Sequence, residues 1–277
     1  MDLSNEVVKQ VVELAITEDV KGGDINGELI SEENESTAEI ITRTSGIFCG
    51  QPWMCEVARQ INPSIKLNFI VNDGETVQEN QLILIASGSS RGLLTSERTM
   101  LNFAQLLSGT ATLANQYAAA VSHTKTKILD TRKTVPGLRE AQKYAVRIGG
   151  AENHRFGLFD AYLIKENHIN AAGSIEQAVT RARKANPRLK LEVEVENMMQ
   201  LREALDAGVD MVLLDNYSVE DLAAAVKFAR GKLQLEASGG ITLENVARVA
   251  ETGVDYISVG AITKEIAPMD LSMRFVG

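Results

Sequence analysis

Six short apolar runs, each closed by a polar or glycine-rich group, fill the second half of the chain and restrict it to few folds. They are KILDT (127–131), AYLIK (161–165), LEVEV (191–195), MVLLDN (211–216), LEASG (235–239) and YISVG (256–260). Their starts lie about 20 to 35 residues apart with helical segments between, the rhythm of repeated βα units and a parallel sheet. Ser174 with Gln177, and Ser218 with Asp221, resemble capping boxes at helix starts. The triplet GVD recurs at 208–210 and 253–255, as expected where a helix ends on glycine before a strand. Six strands in roughly 140 residues do not fill an eight-strand barrel of about 250 residues. The expected architecture is therefore an open, incomplete α/β barrel over 108–266.

The polar residues fall at the strand ends. Asp130, Thr131 and Arg132 follow the first run, Lys165 the second, Glu194 the third and Asp215 the fourth. Ser238, Gly239 and Gly240 follow the fifth, and Gly260 closes the sixth. In a βα barrel these ends converge on one face, where active sites are built. The glycines suit phosphate held by backbone N–H groups, or else simply tight turns. Glu194 and Asp215 end adjacent strands, so they are candidates to hold Mg²⁺ or to stabilise positive charge on a sugar carbon. The alternative is a pair of acids that neutralise nearby cations. Glu192, Glu194 and Glu196 share one face of their strand, and Glu194 is the best placed for a pocket.

Charge is concentrated where the strands begin. The protein carries a formal charge of −9, yet the segment Asp130–Ile169 holds seven basic side chains and two of the three histidines. A basic cluster in an acidic protein points to a recessed site for a small polyanion, because nucleic acid requires a long positive face. Arg132, Lys133, Arg155 and Lys165 suit carboxylates, with His154 as a further donor, unless they are neighbouring surface charges only. Lys165 is also a candidate Schiff-base lysine. No P-loop or GxGxxG is present.

Residues 1–107 read as a separate N-terminal α/β domain, on which 267–277 are expected to pack. It begins with an amphipathic helix bearing Val7, Val8, Val11, Val12 and Ala15 on one face. Strands are expected at 38–42, 66–71 and 81–86, followed by a helix over 96–108. NDGETVQENQLILIASG has the look of a lipoyl carrier hairpin, but 67–90 contain no lysine to carry the group. The N-terminus lacks a signal-peptide pattern and no apolar run spans a bilayer, so a cytoplasmic, membrane-free protein is expected. Cys49 and Cys55 are expected to be reduced and buried.

The segments SERTMLNFAQLLSGTAT, DTRKTVPGLREAQKYAV, GGAENHRFGLFDAYLIKENHI, LEVEVE, LLDN, EASGGI and ISVGAIT resemble, in order, those of quinolinate phosphoribosyltransferases. The resemblance covers nearly the whole chain. It implies an enzyme that joins quinolinate to phosphoribosyl pyrophosphate with Mg²⁺, releasing CO₂ and pyrophosphate, and that works as a homodimer. Arg132, Lys133, His154, Arg155 and Lys165 would hold the pyridine dicarboxylate, and Arg98 would reach into the partner's pocket. Glu194 and Asp215 would serve the ribose and metal, with Lys133 as a further catalytic group. Ser238, Gly239, Gly240 and Gly260 would hold the 5′-phosphate, and Thr131, Val259 and Ala261 complete the implied substrate site. Competing readings are a phosphoribosyltransferase for another aromatic acid and a non-catalytic sugar-phosphate-binding barrel.

Overall fold

The computed structural model describes residues 3–276, and the chain divides into two compact units. The first comprises Met1–Asn115, Thr134–Gly150 and Glu265–Gly277; the second comprises Gln116–Lys133 and Ala151–Lys264. The elements begin with α1 (Asn5–Asp19), β1 (Glu35–Thr42), β2 (Gly46–Ile47), α2 (Gln51–Ile61), β3 (Lys66–Phe69) and β4 (Thr76–Val77). Next come β5 (Leu82–Ser89), α3 (Ser90–Ala120), β6 (Lys127–Leu129), α4 (Arg139–Ile148), β7 (Tyr162–Ile164), α5 (Glu166–Ala172) and α6 (Ile175–Ala185). The chain continues through β8 (Leu191–Val195), α7 (Met198–Asp206), β9 (Met211–Asp215), α8 (Val219–Ala229) and β10 (Gln234–Ser238). It closes with α9 (Val246–Ala250), β11 (Tyr256–Ser258), α10 (Ala261–Lys264) and β12 (Leu271–Val276).

In the first unit a four-stranded antiparallel sheet has the order β12-β1-β5-β3, beside a small β2–β4 pair. Alternation along β1 buries Ala38 and Ile40, which join Val8 and Val12 of α1 and Trp53, Met54 and Val57 of α2 in one core. Removing such side chains from water supplies the main stabilising free energy of the unit. Helix α3 runs well past the expected 96–108, since no proline interrupts it. Gly109 sits inside it because a Cβ there would lie 2.3 Å from the Ala267 carbonyl oxygen. Helix α4 belongs to this unit because Ala141 and Ala145 share its core. Tyr144 packs edge-on against Trp53 at 5.4 Å and donates to Asp73 Oδ2 at 2.8 Å.

Both cysteines are free thiols. Cys49 is buried as expected, but Cys55 is exposed: it takes the outer face of α2 while Trp53 and Met54 take the inner one. Beside Cys49, the Ser108 hydroxyl accepts from the Cys49 N–H at 2.9 Å and donates to its carbonyl at 3.0 Å. Both backbone groups depend on that one side chain. Ser108→Ala should therefore lower stability by about 1–3 kcal/mol in urea unfolding, as for buried polar groups left unpaired. An unchanged midpoint would show that other groups satisfy them.

The second unit holds a six-stranded sheet with every pair parallel and the order β6-β11-β10-β9-β8-β7. Among the described residues β6 and β7 do not pair, so the barrel is unclosed. The expected helix starts are present: Ser174 accepts from Gln177 N–H, and Ser218 from Asp221 N–H. Asn197 caps α7 in the same way. Gly208 and Gly253 adopt left-handed φ values of 74° and 90° as the chain turns into β9 and β11. Among the described residues no helix is long and apolar enough to cross a membrane.

Candidate active site

Parallel register lines up the strand ends. Asp215 lies opposite Ser238 in the β9–β10 pair, and Glu194 opposite Leu213 in the β8–β9 pair. At the β6–β11 boundary the Val259 N–H donates to Leu129 C=O at 2.9 Å, bringing Val259, Gly260 and Ala261 beside Thr131, Arg132 and Lys133. Thr131 Oγ1 accepts from Lys133 N–H at 3.1 Å, and Thr263 Oγ1 donates to Lys133 C=O at 2.8 Å, so the main chain here is fixed. A Cβ on Gly260 would come 3.1 Å from Lys133 Cδ, a tight contact that the lysine side chain would have to shift to relieve.

The next two strand ends meet through a second close approach. Asn216 stands in the left-handed region at φ 55°, its N–H donating to Ser238 C=O and its Nδ2 to Asp215 Oδ2 at 2.9 Å. Gly239 has φ 99°, and a Cβ there would lie 2.1 Å from Asn216 Oδ1. Gly240 has φ 60°. At the far edge Lys165 forms an ion pair with Glu194, joining the ends of β7 and β8. An ammonium bonded to a carboxylate suits anion recognition better than the free amine a Schiff base requires. His168 Nδ1 accepts from Lys165 N–H at 3.1 Å, so the second histidine of the basic segment caps α5.

Residues 152–155 run along the outer edge of β6, bridged from Leu129 to Glu152. Buried Asp130 accepts from His154 N–H at 2.9 Å and from Asn153 Nδ2 at 2.6 Å. His154 Nε2 lies 3.0 Å from Glu192 Oε2 on β8 and 3.3 Å from Glu236 Oε2 on β10. A segment at one edge thus touches strands across the sheet, which shows how strongly the sheet curls. Arg155 Nη1 donates to Ala161 C=O at 3.2 Å. Burial lowers the Arg155 pKa, and the positive charge of Arg132 lowers it further.

Four of the seven cations of the basic segment, Arg132, Lys133, Arg155 and Lys165, belong to the second unit with the strand ends. Arg139, Lys143 and Arg147 lie on α4 in the first unit, as does Arg98, exposed on α3. The residues that sequence reasoning missed are Glu236 and, as a buried group, Glu192. A lone glutamate in the middle of LEASG was the available signal.

Burial pushes the Glu192 carboxyl up from 4.5 to about 6, and the Glu236 charge adds to the effect against the opposing pull of His154 and Lys190. The folded state therefore binds this proton more tightly than the unfolded chain. Its contribution to stability is present below about pH 4.5 and is lost as pH rises through about 6. Glu192→Gln, which cannot ionise, should gain about 1–2 kcal/mol relative to wild type between those pH values. Urea unfolding of both proteins from pH 4 to 8 checks this; a pH-independent difference contradicts the raised carboxyl.

Fold and strand ends together define an α/β-barrel enzyme built around small anionic substrates. The family model described as quinolinate phosphoribosyl transferase, C-terminal domain, matches residues 110–274, and the N-terminal domain model matches 24–108. The chain belongs to the quinolinate phosphoribosyltransferase family. It is 39% identical over 96% of its length to a probable carboxylating nicotinate-nucleotide pyrophosphorylase of Bacillus subtilis, covering 92% of that protein. Identity to the carboxylating nicotinate-nucleotide pyrophosphorylase of Mycobacterium leprae is also 39%, over 98% of each chain. The solved nicotinate-nucleotide pyrophosphorylase of Francisella tularensis superposes with a TM-score of 0.97 at 49% identity, over 99% of this chain and 98% of that one.

Proposed function

We propose that this enzyme transfers the phosphoribosyl group of phosphoribosyl pyrophosphate to the ring nitrogen of quinolinate in NAD biosynthesis. The products are nicotinate mononucleotide, pyrophosphate and CO₂. The observation that carries the reading is the cluster of charge at the strand ends: Arg132 acting on Arg155, Lys133 after β6, Lys165 after β7 paired with Glu194 at the end of β8, and Asp215 at the end of β9. A dicarboxylate accounts for so many cations better than a monocarboxylate does. The 5′-phosphate is assigned to Ser238, Gly239, Gly240 and Gly260, whose backbone can approach an anion closely.

In this scheme the C–O bond to pyrophosphate breaks as the pyridine nitrogen forms its bond to the sugar carbon. Glu194 and Asp215 face the positive charge that develops on the sugar. Nitrogen becomes cationic; as CO₂ leaves, the electron pair of the C2–carboxylate bond stays on C2, where the adjacent positive nitrogen stabilises the carbanion until it takes up a proton. Lys133, Arg155 and Lys165 hold the acid in place while the bond to nitrogen forms. Glu194 and Asp215 are oxygen donors of the kind that hold Mg²⁺ together with phosphate, and bound Mg²⁺ would neutralise charge on pyrophosphate. A homodimer in the cytoplasm, with Arg98 completing the partner's pocket, is part of the same reading.

Mass spectrometry of products from quinolinate, phosphoribosyl pyrophosphate and Mg²⁺ tests the reaction. Nicotinate mononucleotide and CO₂ are expected, and their absence refutes it. Glu194→Ala and Asp215→Ala should each lower kcat by about 100-fold or more while changing quinolinate affinity far less. Wild-type turnover in either removes that residue from the scheme.

Arg98→Ala chains mixed with Glu194→Ala chains test the shared site, since each variant alone is expected to be poorly active. After subunit exchange about a quarter of sites in a random mixture of dimers would regain both residues. Proven exchange without recovery places Arg98 outside the partner's site.

A further inference from the structure

We propose that Glu192 and Glu236 are positioning residues for the acid pocket: they orient the His154 ring, whose Nδ1 accepts from and fixes the Arg155 main chain. This rests on the function proposed above, because it takes Arg155 as the partner of a quinolinate carboxylate. The His154 ring bridges two sets of fixed atoms. On one side the Arg155 N–H donates to Nδ1 at 2.7 Å. On the other, Nε2 faces Glu192 at 3.0 Å and Glu236 at 3.3 Å, and both glutamates are buried. Burial opposes charge on the ring, but the two carboxylates outweigh it, push the His154 pKa up to about 10 and so favour a second ring proton. The Arg155 N–H already occupies Nδ1, however, and a nitrogen that accepts a hydrogen bond carries no proton. The ring's one proton therefore sits on Nε2 and points at the carboxylates.

That assignment decides what His154 can do. Both nitrogens are engaged, so the residue acts on substrate through Arg155 rather than by donating to it. The Arg155 backbone is then held from both ends: His154 Nδ1 anchors its N–H, and the preceding N–H of His154 is anchored on Asp130. The guanidinium is restrained in turn by its bond to Ala161 C=O. Holding a fork-shaped donor in a fixed place is what makes a charged pair with a carboxylate specific.

The same three groups have the spacing of a metal site, with ligand atoms within 4.8 Å of one another. The proton positions argue against that use. A metal on Nε2 requires the ring proton on Nδ1, where the Arg155 N–H already points. A doubly protonated ring meets the same clash.

Two experiments test the proposal. In wild-type protein labelled with ¹⁵N-histidine, the His154 signal, assigned by its loss in His154→Gln, should show a protonated Nε2 and a bare Nδ1 at pH 7. An imidazolium, the opposite tautomer, or a stoichiometric metal lost in Glu192→Gln overturns it. Next, Glu192→Ala should raise the quinolinate Kd about tenfold. The KM for phosphoribosyl pyrophosphate should change by less than about threefold. Glu192→Gln, which still accepts from Nε2–H, should restore most of the affinity. Unchanged affinity in Glu192→Ala, or no rescue in a folded Glu192→Gln, refutes the positioning role. Failure of the wild type to bind quinolinate refutes the functional reading instead, and the tautomer remains decided by the labelled protein.

Discussion

Parallel strand pairing is the constraint on which the site depends. When all six strands of the second unit run the same way, every C-terminal end lies along one edge, and residues distant in sequence become neighbours without a dedicated contact. The pleat then sorts them by depth. Glu192 and Glu194 share a face of β8, as Glu236 and Ser238 do on β10, and a step of two residues is roughly 6–7 Å along a strand. The deeper pair, Glu192 and Glu236, is buried against His154, whereas Glu194 and Ser238 remain partly exposed at the strand ends. One register therefore supplies both an internal layer of buried carboxyl groups and a partly exposed outer rim at the strand ends.

Much of this was legible in the sequence for a local reason. Strands with an apolar run and a polar end, helix starts on serine and helix ends on glycine are all set by residues within a few positions of one another. The six barrel strands and the caps at Ser174 and Ser218 are of that kind. The features that escaped are set by long-range contact. Helix α4 sits between site residues in sequence, yet Ala141 and Ala145 pack with Trp53 in the first unit. Cys55 differs from Cys49 only by which side of a short helix it occupies.

The glutamates show the limit most plainly. Alternation in LEVEV tells which residues share a face, but a curled sheet covered on both sides buries either face. Position along β8 sets Glu194 at the strand end, but the partner that buries Glu192 is His154, which approaches from the β6 edge. That approach is a property of curvature, and no pattern of residue types within β8 records it.

Charge around Arg155 follows from the same rigidity. Two guanidiniums that repel each other would ordinarily swing apart, since exposed arginines lose little by moving. Here Arg155 is tied at its backbone to His154 and at its guanidinium to Ala161, so the repulsion from Arg132 persists in the folded protein. An anion between such groups gains from both without having to order them first, which is the advantage of a preorganised site. The acidic balance of the whole chain does not cancel this. Exposed charges more than about 8 Å away are screened at physiological salt, whereas partly buried neighbours are not. The local field of a few fixed cations, and not the net charge of −9, is what the proposed pocket would present to an anion.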